Sequence, residues 1–340
     1  MTAFLVFLFT AGTGQNALAC ADIDGDGQHD LLVANEKHGN LVVWLGDGDG
    51  ELRRHFETPV ADNPADLAIA DIDADGNPDV VIAHHERDQI SILGGDGTGA
   101  FNLTGTFAPG VNPHPHVVEI ADINGNGKLA ILVDDRANGG LRVFTADRSD
   151  PWVSNATAID LGGDPYLGFA LGDVNADGFA DVAAPVKGQV TVALIDKDGA
   201  TLIPVGEQTY AFAAALLDSN GDGHLDLVSA SSRTRAAQRF LGDGSGAFKS
   251  LTETAPLPAG AKKIAVGDLD GDGAQEAVIV NWSGGVTILA NDQTFDTTRY
   301  DNIPHPWGLA VCDLNHDGAD DVIVTDGESD DTGVYPGKRK

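Results

Sequence analysis

The chain has 340 residues, with 20 basic and 52 acidic side chains and a formal charge of −32. That sign excludes a protein built to neutralise nucleic-acid phosphates or an anionic membrane surface. Hydrophobic residues at 42%, 43 glycines and only 6% aromatics supply a core and point to a turn-rich β protein rather than a disordered acidic chain.

The opening MTAFLVFLFTAGTGQNALAC resembles a secretory or lipoprotein signal ending at Cys20, yet it has no Lys or Arg near its start. ALACADIDGDG also aligns with LAIADIDADG at 67–76, so removal before Cys20 would delete a strand that the other units keep. Structure is therefore favoured over signal. No apolar run reaches the roughly 20 residues that a membrane-spanning helix needs.

DIDGDGQHD at 22–30 begins a series of near-copies. They start at Asp22, Asp71, Asp122, Asp173, Asp218, Asp268 and Asp313, with no linker-like composition between them. Each unit repeats one grammar. The second runs DLAIADI, the acidic loop, DVVIAHH, a short turn, QISILGG, the turn DGTG and then AFNLTGTF. These are four runs of strand length bounded by Gly, Asp and Asn. Four antiparallel strands recurring every 45–51 residues predict an all-β, seven-bladed β-propeller occupying 1–340 as one domain. The last unit ends without a fourth strand, and MTAFLVFLFTAG matches the fourth-strand segment FNLTGTFAPG at 101–110. The N-terminus is expected to complete blade seven and remove an exposed sheet edge.

The pattern DxDxDGxxD offers oxygen ligands at positions one, three, five and nine, a backbone carbonyl at seven and a glycine for the turn at six. Hard oxygen donors in a flexible loop suit Ca²⁺ better than Mg²⁺, zinc or copper. The expected ligands are Asp22, Asp24, Asp26 and Asp30; Asp71, Asp73, Asp75 and Asp79; and Asp173, Asn175, Asp177 and Asp181. The series continues with Asp218, Asn220, Asp222 and Asp226; Asp268, Asp270, Asp272 and Glu276; and Asp313, Asn315, Asp317 and Asp321. The third loop keeps Asp122, Asn124 and Asn126 but has Ala130 at position nine, so it is expected to bind weakly or not at all. Solvated Asp/Asn turns could explain one such loop but not six at one spacing. About six structural Ca²⁺ sites are the expectation.

Two cysteines, Cys20 and Cys312, exclude a disulfide-rich scaffold. Cys20 lies two residues before its motif and Cys312 one residue before, offsets that point to opposite faces of a strand. On that ground buried free thiols are expected rather than a bridge between the first and last units.

The repeats resemble the FG-GAP/VCBS family of β-propellers, best known from the head of integrin α subunits, and the resemblance covers essentially the whole chain. It implies a seven-bladed ring with metal loops on one face and extracellular or cell-surface use, often in adhesion or glycan handling. It implies no single activity.

Strand order puts the acidic loops and the LGDGDG-type turns on one face of the ring. The other face is built by the turns between second and third strands and by the links between blades. There the sequence carries His38, His84, His85, Arg87, Asp135, Arg136, Arg233, Arg235 and Trp282 in the turns. The links hold His114, His116, Tyr166, His305 and Trp307. Of these, His84, His85, Arg87, His114, His116, Arg136, Tyr166, Trp282, His305 and Trp307 are the candidate ligand-binding residues. Aromatic rings stack on sugars, while Arg and protonated His pair with carboxylate or sulfate. A glycan or protein ligand on this face is the leading expectation. A polysaccharide lyase using Arg136 or Arg87 to neutralise a uronate and His116 or Tyr166 to move the proton is the alternative. No GxSxG, HExxH, P-loop or dinucleotide fingerprint is present.

Overall fold

Apolar runs bounded by Gly, Asp and Asn become antiparallel strands throughout the described residues. The computed structural model describes residues 14, 17–110, 114–147, 150–165, 168–206, 211–282, 284–290, 297–300, 303–329 and 332–339. Within them lie seven sheets, six four-stranded and one three-stranded, each running in sequence order from first strand to last. Blade one comprises Ala17–Ala21, Asp30–Asn35, Asn40–Gly46 and Leu52–Pro59. Blade seven shows Pro306–Cys312, Asp321–Asp326 and Thr332–Tyr335. The N-terminal segment expected to complete it lies outside the described residues. The single helical turn described is a 3₁₀ element at His85–Arg87.

The second strand of every blade is buried along its full length, including DLLVAN in blade one and DVVIAH in blade two. A strand inside a blade that is sandwiched by two neighbours has no solvent face, which is why these runs read as continuously apolar. Alternate side chains serve alternate neighbours. Leu32, Ala34 and Val43 join Leu67, Val80 and Ile82 of blade two. Leu31 and Val33 join Ala310, Ile323 and Val334 of blade seven. Each of the seven blade pairs has one such apolar cluster, so the ring is closed by packing. Truncating Ile82, with no exposed surface, to Ala would leave a cavity costing about 2–5 kcal/mol.

The cysteines are bonded to each other, contrary to the expectation of free thiols. Their opposite-face offsets are what the bond requires. Blade one turns one face toward blade seven, and blade seven turns its other face back. Leu18 and Cys20 accordingly lie on the same side of their strand as Leu31 and Val33, facing Ala310, Cys312 and Leu314.

Candidate metal loops and the opposite face

Each acidic loop folds on its own side chains. The carboxylate at position one accepts backbone N–H bonds from within the loop, as Asp22 does from Gly25 and Gly27 and Asp218 from Gly221, Asp222 and Gly223. Two residues per loop take left-handed backbone. Position six is glycine throughout, but position four is filled by Ala74, Ala176 and His316 as well as by glycine. The oxygen at position three bonds the N–H at position five whether it belongs to Asp24, Asp73, Asn175, Asn220 or Asn315. Asn thus substitutes for Asp without changing the turn.

The ninth residue has a second task that the spacing did not reveal. Where it is Asp, its carboxylate is buried and bonds the backbone at two points. Asp30 accepts from Ile23 and Gly46, Asp79 from Ile72 and Gly95, and Asp181 from Val174 and Ile195. The third strand must therefore end close to the loop. A Cβ at Gly46, Gly95 or Gly242 would strike the carbonyl of His29, Pro78 or Leu225, which explains the first glycine of LGDGDG. Burial pushes Asp30 and Asp321 up to about 6 and Glu276 up to about 7. Loops also join their neighbours. The N–H groups of Gln275 and Asp320 reach the carbonyls of Asp218 and Asp268, and His29 Nδ1 pairs with the Asp313 carbonyl at 2.9 Å.

Three loops gather carboxylate oxygens within 4.8 Å of one another: Asp22, Asp24 and Asp30; Asp71, Asp73 and Asp79; and Asp268, Asp270 and Glu276. These three clusters could hold a metal ion. The donors are all hard oxygens, and Glu276 Oε1 is buried without a hydrogen-bond partner while Oε2 accepts from Leu269. Such an oxygen fits a cation. The Asn-bearing loops keep the turn with one fewer charge, and the third loop keeps it without any ninth carboxylate.

On the opposite face the candidate residues sort into two groups. His85, from the 3₁₀ turn of blade two, stacks on His116 at 5.3 Å and meets His114 edge-on at 5.4 Å. His114 and His116, from the next link, are 4.7 Å apart. Behind them Asp134 is 1% exposed and accepts the N–H groups of His116 and Val117 through Oδ1. Burial, then the charges of His114, His85 and Arg136, lowers His116 to about 4. Burial raises Asp134 to about 8.

The second group surrounds a lysine that the sequence reading missed. Lys262, 4% exposed, places Nζ 2.9 Å from the ring centre of Trp307 and 5.0 Å from that of Trp282, and donates to the Pro306 carbonyl at 3.1 Å. Trp282 is 42% exposed and meets Trp307 and Phe212 edge-on. Burial, then the neighbouring Lys263, lowers Lys262 to about 6.

Five FG-GAP-like repeats match the chain, over 22–82, 71–133, 173–229, 218–279 and 268–324, together well over half its length. The chain belongs to the FG-GAP-like repeat family. Against curated proteins it has no match. Among solved structures, BBS1N in complex with ARL6DN, soaked with mercury, aligns at a TM-score of 0.69 with 12% identity, over 99% of this chain and 98% of that one. A catalytically inactive virginiamycin B lyase from Staphylococcus aureus with quinupristin aligns at 0.63 and 12%, over 98% and 97%. The Dos1 propeller aligns at 0.55 and 13%, over 92% and 76%. At these identities the likeness is one of fold.

The remaining candidates on this FG-GAP ring are otherwise engaged or lie elsewhere. His84 is wholly buried and bonds Ser91 Oγ and the Asp62 carbonyl, so it is part of the core. Arg87 pairs with Asp62, and His305 lies 3.8 Å and 3.6 Å from the carboxylates of Asp326 and Glu328. Arg136 bonds Asp164 at 3.1 Å. Tyr166 lies outside the described residues. Asp134 and Lys262 could have been suspected as charges set in the apolar contexts ILVDD and AKKIAV. Lys263 reaches across the ring to Asp66 of blade two at 3.6 Å. A cavity of about 550 Å³ is lined by first-strand residues such as Glu119, Leu171, Leu216 and Ile264.

Proposed function

We propose that this ring is a calcium-stabilised binding module, working outside the cytoplasm (secreted, surface-held or periplasmic), that takes a glycan or protein ligand on the face opposite its acidic loops. The observation that carries the reading is the platform of Trp282, Trp307 and Phe212 around Lys262, with Trp282 standing 42% exposed. An exposed indole beside an amine offers stacking and a polar contact in one place, in a chain whose charge is −32. Three loops with converged carboxylates, in a series of six with the same oxygen-donor spacing, support calcium as the resident ion, and each filled loop would stiffen a blade and its contact with the next. The Cys20–Cys312 disulfide supports an oxidising compartment. The similar BBS1N structure is of a complex with another protein, which is compatible with a protein ligand.

A glycan array and a pull-down from extracellular protein test the reading, with Trp282→Ala and Trp307→Ala as controls. Saturable binding that falls at least tenfold in either variant is the expected result. Binding indifferent to both substitutions, or no binding at all, would refute it. The second reading, a lyase acting on uronate-containing polysaccharide, is favoured by the gathering of His85, His114 and His116, with ring centres 4.7–5.4 Å apart, on the same face. It predicts absorbance from an unsaturated product when such polysaccharides are supplied, abolished in His116→Ala.

A further inference from the structure

The geometry points to a second kind of metal site, for a divalent transition ion such as Zn²⁺, formed by His85, His114 and His116 on the face opposite the acidic loops. It is independent of the ligand-binding reading and differs from the loops in donor type, since imidazole nitrogen suits zinc, copper and nickel whereas the loops offer oxygen alone. The ring separations carry the argument. Zn–N bonds of about 2.0–2.1 Å, arranged tetrahedrally, put the centres of ligating imidazoles about 5 Å apart. The three observed separations are 4.7, 5.3 and 5.4 Å.

A buried carboxylate behind the rings is the second observation. Asp134 Oδ2 has no hydrogen-bond partner, and His116 Nδ1, also buried and unpartnered, lies 4.0 Å from it. Metal-bound histidines generally donate their other N–H to a carboxylate or carbonyl, which fixes the ring and strengthens it as a ligand. A modest ring shift would turn the 4.0 Å separation into that bond and leave His116 Nε2 for the ion. His85 Nδ1 is likewise buried without a partner. Among the described residues the groups already converged within 4.8 Å are the acidic ones, so the histidines must rotate about their side-chain bonds to close on the ion. The rings come from the turn of blade two and the link into blade three, so the ion would also pin two blades together.

Zn²⁺ alone is the probe, titrated calorimetrically into the full chain in millimolar Ca²⁺ so that the acidic loops are occupied. Saturation at one equivalent is expected, with affinity lowered at least tenfold in His114→Ala and in His116→Ala. Asp134→Asn should weaken binding about 10–100-fold, as loss of a supporting carboxylate does. Melting curves in Ca²⁺ confirm that each variant is folded. Co²⁺ gives an independent readout, because four-coordinate imidazole ligation produces intense visible bands that the aqueous ion lacks. Zinc titrations indistinguishable between wild type and the double variant His85→Ala/His116→Ala, or a Co²⁺ spectrum equal to that of the aqueous ion, would overturn the assignment.

Discussion

Cys20 in the first strand of blade one is disulfide-bonded to Cys312 in the first strand of blade seven, 292 residues away, with the Cα atoms 6.4 Å apart. The bond joins the first and the last blade of the ring, so among the described residues these two blades are held covalently as well as by packing. In the chain-entropy picture a loop of this length stabilises by up to about 5 kcal/mol. Cys20→Ser/Cys312→Ser should therefore melt well below wild type. A reductant should lower wild type toward the variant and leave the variant unmoved. Identical melting with and without reductant, in protein shown by mass to be reduced, would contradict the staple.

On the proposed calcium reading, a chelator should destabilise the ring, because the clustered carboxylates then lack a counter-ion. A site filled to ten times its dissociation constant contributes about 1.4 kcal/mol, so several sites together should move the melting temperature by many degrees. Asp73→Asn gives the sharper test. Asp73 is exposed, and an amide oxygen keeps its bond to the Asp75 N–H, as Asn175 does in blade four. The variant should match or exceed wild type in chelator and fall below it in Ca²⁺. A loss of equal size in both conditions would mean the residue serves the turn alone.

The repeat was legible in the sequence because acidic turn, buried second strand and glycine-ended third strand recur with a fixed spacing. Position six showed as a glycine, while the equal demand at position four was masked by Ala74, Ala176 and His316. The cysteines were misread because the offset was judged within one strand, whereas the bond joins opposite faces of two neighbouring blades. On the far face, turn and link residues could be assigned to a side of the ring but not to each other. Which of them meet depends on blade-to-blade geometry that no local pattern encodes. So His85, His114 and His116 converged while His84, one residue earlier, turned into the core.

Asp181 and Asp177 belong to one loop but should differ in what their loss costs without metal. Asp181 is buried and bonds the Val174 and Ile195 N–H groups, whereas Asp177 is exposed. Leaving two buried donors unsatisfied costs about 1–3 kcal/mol each. Asp181→Ala should thus lose about 2–4 kcal/mol in chelator, and Asp177→Ala under about 1 kcal/mol. Urea unfolding of both variants measures the gap. Equal losses would assign position nine to metal binding alone.

Lys262 gives the ring a pH dependence with a definite sign. Burial lowers its pKa in the folded chain from 10.5 to about 6. Between those values the unfolded chain holds a proton at this amine that the folded chain does not. Stability must then rise with pH across that window, and below about 6 the destabilisation is at its full size. Lys262→Met has a similar shape, stays between Trp282 and Trp307 and cannot titrate. It should be more stable than wild type near pH 6.5, and the difference should shrink by pH 9. Urea unfolding at both values, in constant Ca²⁺, reads the two differences directly. A difference that stays constant or widens with pH would show that the amine remains protonated between the indoles, held there by cation–π attraction.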